Sequence, residues 1–299
     1  MRPRMHEGQV DTDPALVREL LDEQFPRWSR LPLRRVASHG TDHDVYRLGD
    51  ELAVRMPIVA WAQAQAEVEA RWLPRIAPAL PLRVPEPKGL GRPSHGYPFV
   101  WSVVAWLPGQ SADRADVDMM RAASDLAAFV RALRGFSVDG AHARRERARG
   151  SPLAELDAAV RDAVERLGDR LEPEAPRRSL LRVWDEAVEA DAHEGPEVWV
   201  HGDLLPGNLL VADGLLTAVI DFGGLNVGDP ACDLQPAWAL LDRMGRRRFR
   251  EELGADAAAW SRGRGWSLAQ AVMALPYYWD TNPGMVRQAR RSLAALLEA

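Results

Sequence analysis

A short polar loop, HGDLLPGN (residues 201–208), lies between two strand-like segments of this chain. The segment EVWV precedes the loop, and LLVADGLLTAVIDF follows it and leads to a second polar turn at Asp221. Asp203 precedes Asn208 by five residues, and Asn208 precedes Asp221 by thirteen. A hairpin turned at ADG can return Asp221 to face Asn208, so the sequence predicts that these polar side chains serve one site.

The same order and spacing occur in protein kinases, where a catalytic-loop Asp and Asn precede the Asp of Asp-Phe-Gly. Asp203 is therefore predicted to orient an acceptor hydroxyl and to accept its proton. Asn208 and Asp221 are predicted to hold Mg²⁺, a hard cation that takes a few protein oxygens beside phosphate oxygens. The alternative is that all three residues only form turns, which Asp and Asn favour. Their order and their strand-like flanks favour the catalytic interpretation.

The pattern of predicted elements changes near Gly109. Before it, short strands with Gly-containing turns surround one main helix, and after it helical patterns dominate. This arrangement predicts an α+β fold of two lobes. The small antiparallel-sheet N-lobe spans residues 1–109, including a hinge strand, and the larger, mostly helical C-lobe spans residues 110–299. Near the start, Asp13 is predicted to cap a helix that has Pro14 in its first turn.

Composition excludes several classes of protein. A net charge of −5 and an isoelectric point near 5.9 argue against a nucleic-acid binder. No window has the length of a transmembrane helix, and no apolar stretch follows the N-terminal charges as in a signal peptide. The single cysteine, Cys232, cannot form an internal disulfide, so we expect a reducing, cytoplasmic location. The expected partner is a small molecule rather than a nucleic acid or a membrane, and the oligomeric state stays open.

Three other classes of enzyme are excluded because the sequence lacks the residues that their chemistry requires. Dinuclear metallophosphoesterases also contain GD and GN pairs, but they need histidine ligands downstream, and no histidine follows His201. Lys88, the only lysine, is followed by Gly89 and Leu90, so there is no P-loop. The Gly-x-Ser-x-Gly turn of serine hydrolases is also absent. One alternative outside catalysis remains, a pseudokinase-like regulatory module that binds nucleotide without transferring phosphate.

Three segments, VWVHGDLLPGNLLV, AVIDFGGLNVGDPACDLQPAW and LPYYWDTNP, resemble the aminoglycoside phosphotransferase family, which has the protein-kinase-like fold. The resemblance continues upstream and covers most of the chain. It implies an ATP- or GTP-dependent enzyme that uses Mg²⁺ and phosphorylates a hydroxyl of a small molecule. On the matching positions it implies Asp203 as catalytic base, Asn208 and Asp221 as metal ligands, and Asp233 as a brace for the catalytic loop. We assign His201 a similar supporting role.

The segment that would bind nucleotide departs from the protein-kinase pattern. It has no Gly-x-Gly-x-x-Gly, and ASHGTDHDVYRLG offers only Gly40 at the predicted turn. The phosphates are therefore predicted to be covered by a hairpin, with donors from its backbone and from Ser38 and Thr41. The adenine is predicted to lie against the segment from Ala105 to Leu107, where backbone groups can read its edge.

The strand position that carries lysine in kinases holds Arg55, in LAVRMP. Arginine can bind phosphate through two nitrogens and stays charged, so the exchange is chemically sensible although it is not conservative. The resemblance implies Glu69, on the following helix, as the partner of Arg55. The alternatives are an exposed strand arginine and an ordinary solvated glutamate.

The acceptor is the least constrained part of the prediction. The helical region after Asp221 offers two sets of side chains: the carboxylates Asp242, Glu251, Glu252, Asp256 and Asp280, and the aromatics Trp238, Trp260, Trp266, Tyr277, Tyr278 and Trp279. Carboxylates lining a cleft favour a polycationic aminoglycoside, whereas aromatics favour a macrolide. A metabolic sugar or amino-alcohol kinase shares the same catalytic motifs. The alternative for both sets is solvated helix faces and core. The balance favours an aminoglycoside-like acceptor.

Overall fold

The structure is a computed structural model that describes residues 6–36, 41–141 and 148–298. The chain divides into two units, and each is built from more than one segment. The first unit comprises Met1–Pro78, Arg83–Pro108 and Ala218–Gly223. The second unit comprises Ala79–Leu82, Gly109–Thr217 and Gly224–Ala299.

The first unit contains a five-stranded antiparallel sheet in the order β1-β2-β3-β5-β4. Apolar side chains alternate along its central strands and pack with the first helix into one core. The strands are β1 (Leu33–Arg35), β2 (His43–Leu48), β3 (Leu52–Pro57), β4 (Pro87–Gly91) and β5 (Trp101–Ala105).

The first helix, α1 (Pro14–Gln24), begins as the sequence predicts. The Asp13 side chain accepts a hydrogen bond from the Leu16 N–H at 2.8 Å, and Pro14 occupies the first helical position, where its missing N–H costs nothing. The buried face of α1 packs on the sheet through apolar side chains at helical spacing, namely Val17, Leu20 and Leu21.

The second helix of this unit, α2 (Gln65–Ile76), is amphipathic, and one residue on its buried face is charged rather than apolar. Ala66, Trp72, Leu73 and Ile76 are buried, and so is Glu69, whose exposed fraction is only 2 %. A buried carboxylate needs a charged or hydrogen-bonding partner, so this residue marks a polar cluster within the unit.

The second unit is mostly helical. Its two small sheets have the strand orders β6-β8-β9 and β10-β7. The helices are α3 (Met119–Arg134), α4 (Asp157–Leu167), α5 (Arg177–Val188), α6 (Pro236–Ala239), α7 (Arg243–Leu253), α8 (Ala257–Tyr278) and α9 (Pro283–Leu297). The strands are β6 (Gln110–Ser111), β7 (Val198–Val200), β8 (Leu209–Ala212), β9 (Leu215–Val219) and β10 (Asn226–Gly228). The α+β fold predicted from the sequence is confirmed.

The polar loop at residues 201–208 joins β7 to β8 and ends in a short 3₁₀ turn, Pro206–Asn208. The hairpin between β8 and β9 turns at Asp213 and Gly214, which both have positive φ, at 51° and 77°. Strand β9 then leads to Asp221. Within the described ranges, no helix combines the length and the apolar character needed to cross a membrane.

Candidate active site

The carboxylate of Asp203 is held by side-chain amides within the second unit. Asn208 Nδ2 donates to Asp203 Oδ2 at 2.7 Å and to the Asp203 main-chain oxygen at 2.9 Å. Gln270 Nε2 donates to Oδ1, and Arg149 Nη2 lies 3.7 Å from the same oxygen. The Asp203 side chain is 27 % exposed, so a reactant can reach it. The carboxylate is thereby oriented by two neutral donors and stays accessible.

The backbone of this loop is supported from below by Asp233. The fully buried Asp233 accepts hydrogen bonds from the N–H groups of His201 and Gly202, at 2.8 and 2.7 Å. Burial raises the pKa of Asp233, while the nearby His201 and these two N–H groups oppose the rise. His201 in turn accepts from the Asp203 N–H through Nδ1, at 3.2 Å. The structure therefore places both His201 and Asp233 in contact with the loop backbone.

Gly202 is required at its position for two reasons. Its φ of 76° lies in the left-handed region, which side chains disfavour. A Cβ added there would also lie only 2.4 Å from the Cβ of Arg149. Gly207, on the same loop, has no atom within 4 Å of such a Cβ. The first glycine lets the loop pass close to Arg149 before it presents Asp203.

A second charged cluster lies within the first unit. Arg55, on β3, pairs through Nη1 with Glu69 Oε2 and through Nη2 with Asp221 Oδ1, the latter at 3.2 Å. The other oxygen of Glu69 accepts from the Phe222 N–H at 3.1 Å. Asp221 has a φ of 64°, an unfavourable conformation for a non-glycine residue that the flanking contacts hold in place. Glu69 is thus the partner of Arg55, as the resemblance implies, and it also fixes the turn after Asp221.

Burial and charge act in opposite directions on this cluster. The side chains of Arg55 and Glu69 are only 11 % and 2 % exposed. Burial lowers the pKa of Arg55, but the charges of Glu69 and Asp221 outweigh burial and raise it. Burial raises the pKa of Glu69, and Arg55 opposes that rise. We regard the pair as ionised, because an arginine keeps its proton and a buried guanidinium requires an anionic partner.

His43, at the start of β2, belongs to the same cluster, and sequence reasoning missed it. It is buried, and burial together with the charge of Arg55 lowers its pKa to about 3. Its imidazole is therefore neutral near pH 7. The sequence signal was weak, because His43 lies in a strand segment with no motif around it.

The other residues predicted to contact nucleotide are only partly described. Ser38 and Gly40 lie outside the described residues. The Thr41 hydroxyl donates a hydrogen bond to Asp42 Oδ1 at 2.7 Å. Its only proton is therefore already used in this bond. The N–H of Ala105 donates to the Glu86 carbonyl at 2.8 Å, so this group cannot also read a base edge. Leu107 is buried.

Four of the five carboxylates proposed for an acceptor cleft have local structural roles. Asp242 and Asp256 cap α7 and α8 by accepting hydrogen bonds from N–H groups in their first turns. Glu251 and Glu252 each pair with an arginine one turn earlier on α7. Asp280 is exposed at the end of α8. Four of these groups therefore stabilise their own helices, and the carboxylate-lined acceptor cleft stays a prediction.

The aromatic residues of the same region contribute mainly to packing. Trp238 and Trp266 are buried, each with an exposed fraction of 2 %. Trp238 also packs against Trp260, with ring centroids 4.7 Å apart. Trp279 contacts two arginine guanidinium groups. Tyr277 is the most exposed of the set, at 49 %.

The residues predicted to bind Mg²⁺ have suitable donor chemistry. Nδ2 of Asn208 donates both of its hydrogen bonds to Asp203, so Oδ1 is the amide atom suited to a hard cation. The side chain of Asp221 is 41 % exposed. No cluster of three or more His, Cys, Asp or Glu that could hold a metal occurs among the residues described here. Mg²⁺ bound to a nucleotide needs only one or two protein ligands, so an Asn and an Asp fit it.

Comparison with known proteins gives the chain its family. The sequence profile of the phosphotransferase enzyme family matches residues 34–266. Among solved structures, the GDP complex of aminoglycoside 2'-phosphotransferase-IIIa superposes with a TM-score of 0.70 at 18 % identity, covering 96 % of this chain and 99 % of that one. Macrolide 2'-phosphotransferase MphH from Brachybacterium faecium, as apoenzyme, gives 0.59 at 24 % identity, covering 92 % and 98 %. A comparison with curated protein sequences found no significant match. The fold is protein-kinase-like.

Proposed function

Since this chain belongs to the phosphotransferase enzyme family, we propose that it transfers the γ-phosphate of ATP or GTP to a hydroxyl of a small molecule. The observation that carries the proposal is the environment of Asp203. Asn208 and Gln270 each donate to one of its carboxylate oxygens, so two neutral amides fix its orientation while Arg149 stays 3.7 Å away. A carboxylate prepared in this way suits the orientation of an acceptor hydroxyl and the removal of its proton.

The remaining roles follow from the family pattern and from the donor chemistry. We assign Asn208 and Asp221 to Mg²⁺, which when bound neutralises charge on the nucleotide phosphates. Arg55 is assigned to the phosphates, and Glu69 holds Arg55 in place. His201 and Asp233 keep the loop backbone in shape beneath Asp203.

We infer that the acceptor is a hydroxylated, antibiotic-like molecule. Support comes from structures with the same fold, which include a GDP and kanamycin complex of an aminoglycoside phosphotransferase and the macrolide enzyme. An aminoglycoside stays the favoured candidate on the family resemblance alone, since the carboxylates that favoured a polycation cap helices or form surface pairs. A macrolide and a metabolic sugar or amino alcohol are the alternatives.

The test is a panel of acceptors with ATP and with GTP, followed by mass spectrometry of the acceptor. We use kanamycin, gentamicin, streptomycin, a macrolide, a neutral sugar and an amino alcohol. The proposal predicts the gain of one phosphoryl group on at least one acceptor, and loss of that product when Mg²⁺ is chelated. Nucleotide binding without any phosphorylated product would instead support the pseudokinase-like module.

A further inference from the structure

Gln270 is a polar residue in an otherwise apolar part of α8. Its neighbours along the chain, Leu268, Ala269, Ala271 and Val272, are all buried core residues. A long amide side chain in such a segment loses hydration, so it needs hydrogen-bond partners from the protein or from a ligand. One partner is the Asp203 carboxylate described above.

The chemistry of that contact determines which amide atom faces Asp203. An ionised carboxylate can only accept hydrogen bonds, so the Gln270 atom next to Oδ1 must be the Nε2 donor. The amide oxygen, Oε1, consequently points away from Asp203. Oε1 is fully buried, and it has no hydrogen-bond partner among the residues that the structure describes.

Gln270 also lines a small cavity between the catalytic loop and the helices α8 and α9. Its volume is about 10 Å³, which is close to the space that one water-sized group needs. Uncharged side chains surround it: Leu205, Ser267, Gln270, Ala271, Ala274, Met285, Gln288, Ala289 and Ser292. Because none of them is charged, the cavity cannot compensate a buried ammonium group.

We propose that Gln270 is a positioning residue that links Asp203 to a bound hydroxyl group. Nε2 orients the Asp203 carboxylate, and Oε1 accepts a hydrogen bond from an uncharged O–H group in the cavity. This group is either a water or a hydroxyl of the acceptor. The kinetic consequence rests on the proposed function, whereas the O–H site in the cavity does not.

The test compares Gln270→Met with Gln288→Met. Both substitutions replace an amide by an apolar side chain of similar length in the lining of the same cavity, but only Gln270 bonds to Asp203. We expect Gln270→Met to lower kcat at least tenfold, with KM for nucleotide unchanged within about twofold. Gln288→Met should lower kcat clearly less than Gln270→Met does, because the bond from Gln270 to Asp203 stays intact.

The variant Gln270→Glu provides a second, independent test of which group the cavity binds. A carboxylate here would repel Asp203 and would favour a cationic group in the cavity. Our proposal predicts a loss of kcat as large as in Gln270→Met, for kanamycin and for the macrolide alike. A gain in kcat/KM for kanamycin would show that the cavity takes an ammonium group, and would overturn the assignment of an O–H donor.

Crystal structures of the wild-type protein, alone and with kanamycin or the macrolide, show directly which group occupies the cavity. The proposal predicts one oxygen within hydrogen-bond distance of Gln270 Oε1, and its loss in Gln270→Met. Density in the protein alone identifies water, and density only in a complex identifies an acceptor hydroxyl. An empty cavity, or equal kinetic losses in the two methionine variants, overturns the proposal. If no acceptor in the panel is phosphorylated, the proposed function fails, and the crystal structures still decide the O–H site.

Discussion

The two aspartates at the centre of the proposed chemistry are held in different ways. Asp203, in the second unit, receives hydrogen bonds from the neutral amides of Asn208 and Gln270. Asp221, in the first unit, is paired with the guanidinium of Arg55 and has a left-handed backbone conformation. Asp203 thus accepts from neutral donors and has the Arg149 guanidinium 3.7 Å away, whereas Asp221 accepts directly from an arginine at 3.2 Å. The first arrangement suits a residue that must attract a proton, and the second suits one whose charge is shared among cations.

The largest expected effect comes from removing the charge of Asp203. Asp203→Asn should lower kcat by on the order of a hundredfold or more, because the group that accepts the hydroxyl proton is lost. Nucleotide affinity should change little. Steady-state kinetics on an acceptor identified by the panel, with nucleotide binding by calorimetry, measure both quantities. The exposed Asp280→Asn, in the same unit, is the matched control. Near-normal turnover of Asp203→Asn would show that Asp203 is not the catalytic base and that its environment has no special role in proton transfer.

The second prediction concerns Arg55, which pairs with Glu69 and Asp221 through separate nitrogens. Arg55→Ala should weaken Mg²⁺-nucleotide binding about thirtyfold, in line with the loss of a charge-assisted hydrogen bond. Arg55→Lys should lose less, because it keeps a cation although it cannot reproduce both contacts. The exposed strand variant Arg34→Ala is the control. If alanine and lysine cost the same in calorimetric titrations, the charge of Arg55 is irrelevant and the residue serves packing.

The third prediction uses the pH dependence of the first unit. Folding holds the pKa of His43 at about 3, below its ordinary value of 6.5, so the unfolded chain binds more protons between these values. Stability should therefore fall as the pH drops below 6.5, by about 2 kcal/mol between pH 7 and pH 5 for this group alone. Urea unfolding of the metal-free protein at both pH values measures the change. His43→Gln should reduce the pH dependence by that amount. An unchanged slope in His43→Gln would mean that His43 is not buried neutral.

The smallest effect is expected at the turn that presents Asp203. Gly202→Ala should cost about 1–2 kcal/mol of stability, because alanine disfavours the left-handed region. It should also lower kcat, since Arg149 must move to make room for the new Cβ. Gly207→Ala, on the same loop, has open space and should change either quantity only slightly. Urea unfolding and kinetics on both variants give the comparison. Equal losses in the two would show that loop flexibility, rather than the backbone conformation of Gly202, determines the geometry.

Much of the fold and part of the site followed from local sequence. The helix cap at Asp13, the hairpin turned at residues 213–214 and the placement of Asp203 and Asn208 on one loop involve neighbours in sequence, so spacing and turn preference were sufficient. The partner of Arg55 was implied by family resemblance, and the structure shows the same pair.

Two site residues that were missed by sequence reasoning contact Asp203 from segments that are distant in sequence. Gln270 reaches Asp203 from a helix that carries no motif, although a lone glutamine in SLAQAVMAL was a usable signal. Arg149 lies 54 positions before Asp203 in sequence, and nothing local relates the two residues. Sequence reasoning also did not assign Asp242 and Asp256 as helix caps, although both stand immediately before helical patterns, where aspartate serves as a cap.

The arginine at position 55 also determines how this protein responds to chemical labelling. Nucleotide analogues that acylate a lysine beside the phosphates need a nucleophilic amine, and a guanidinium that keeps its proton offers none. The only amine on a side chain is that of Lys88, which lies on β4 and pairs with Glu86. Surveys of nucleotide-binding enzymes by such reagents would pass over this chain even when its site is filled. A reagent directed at carboxylates is the appropriate choice for it.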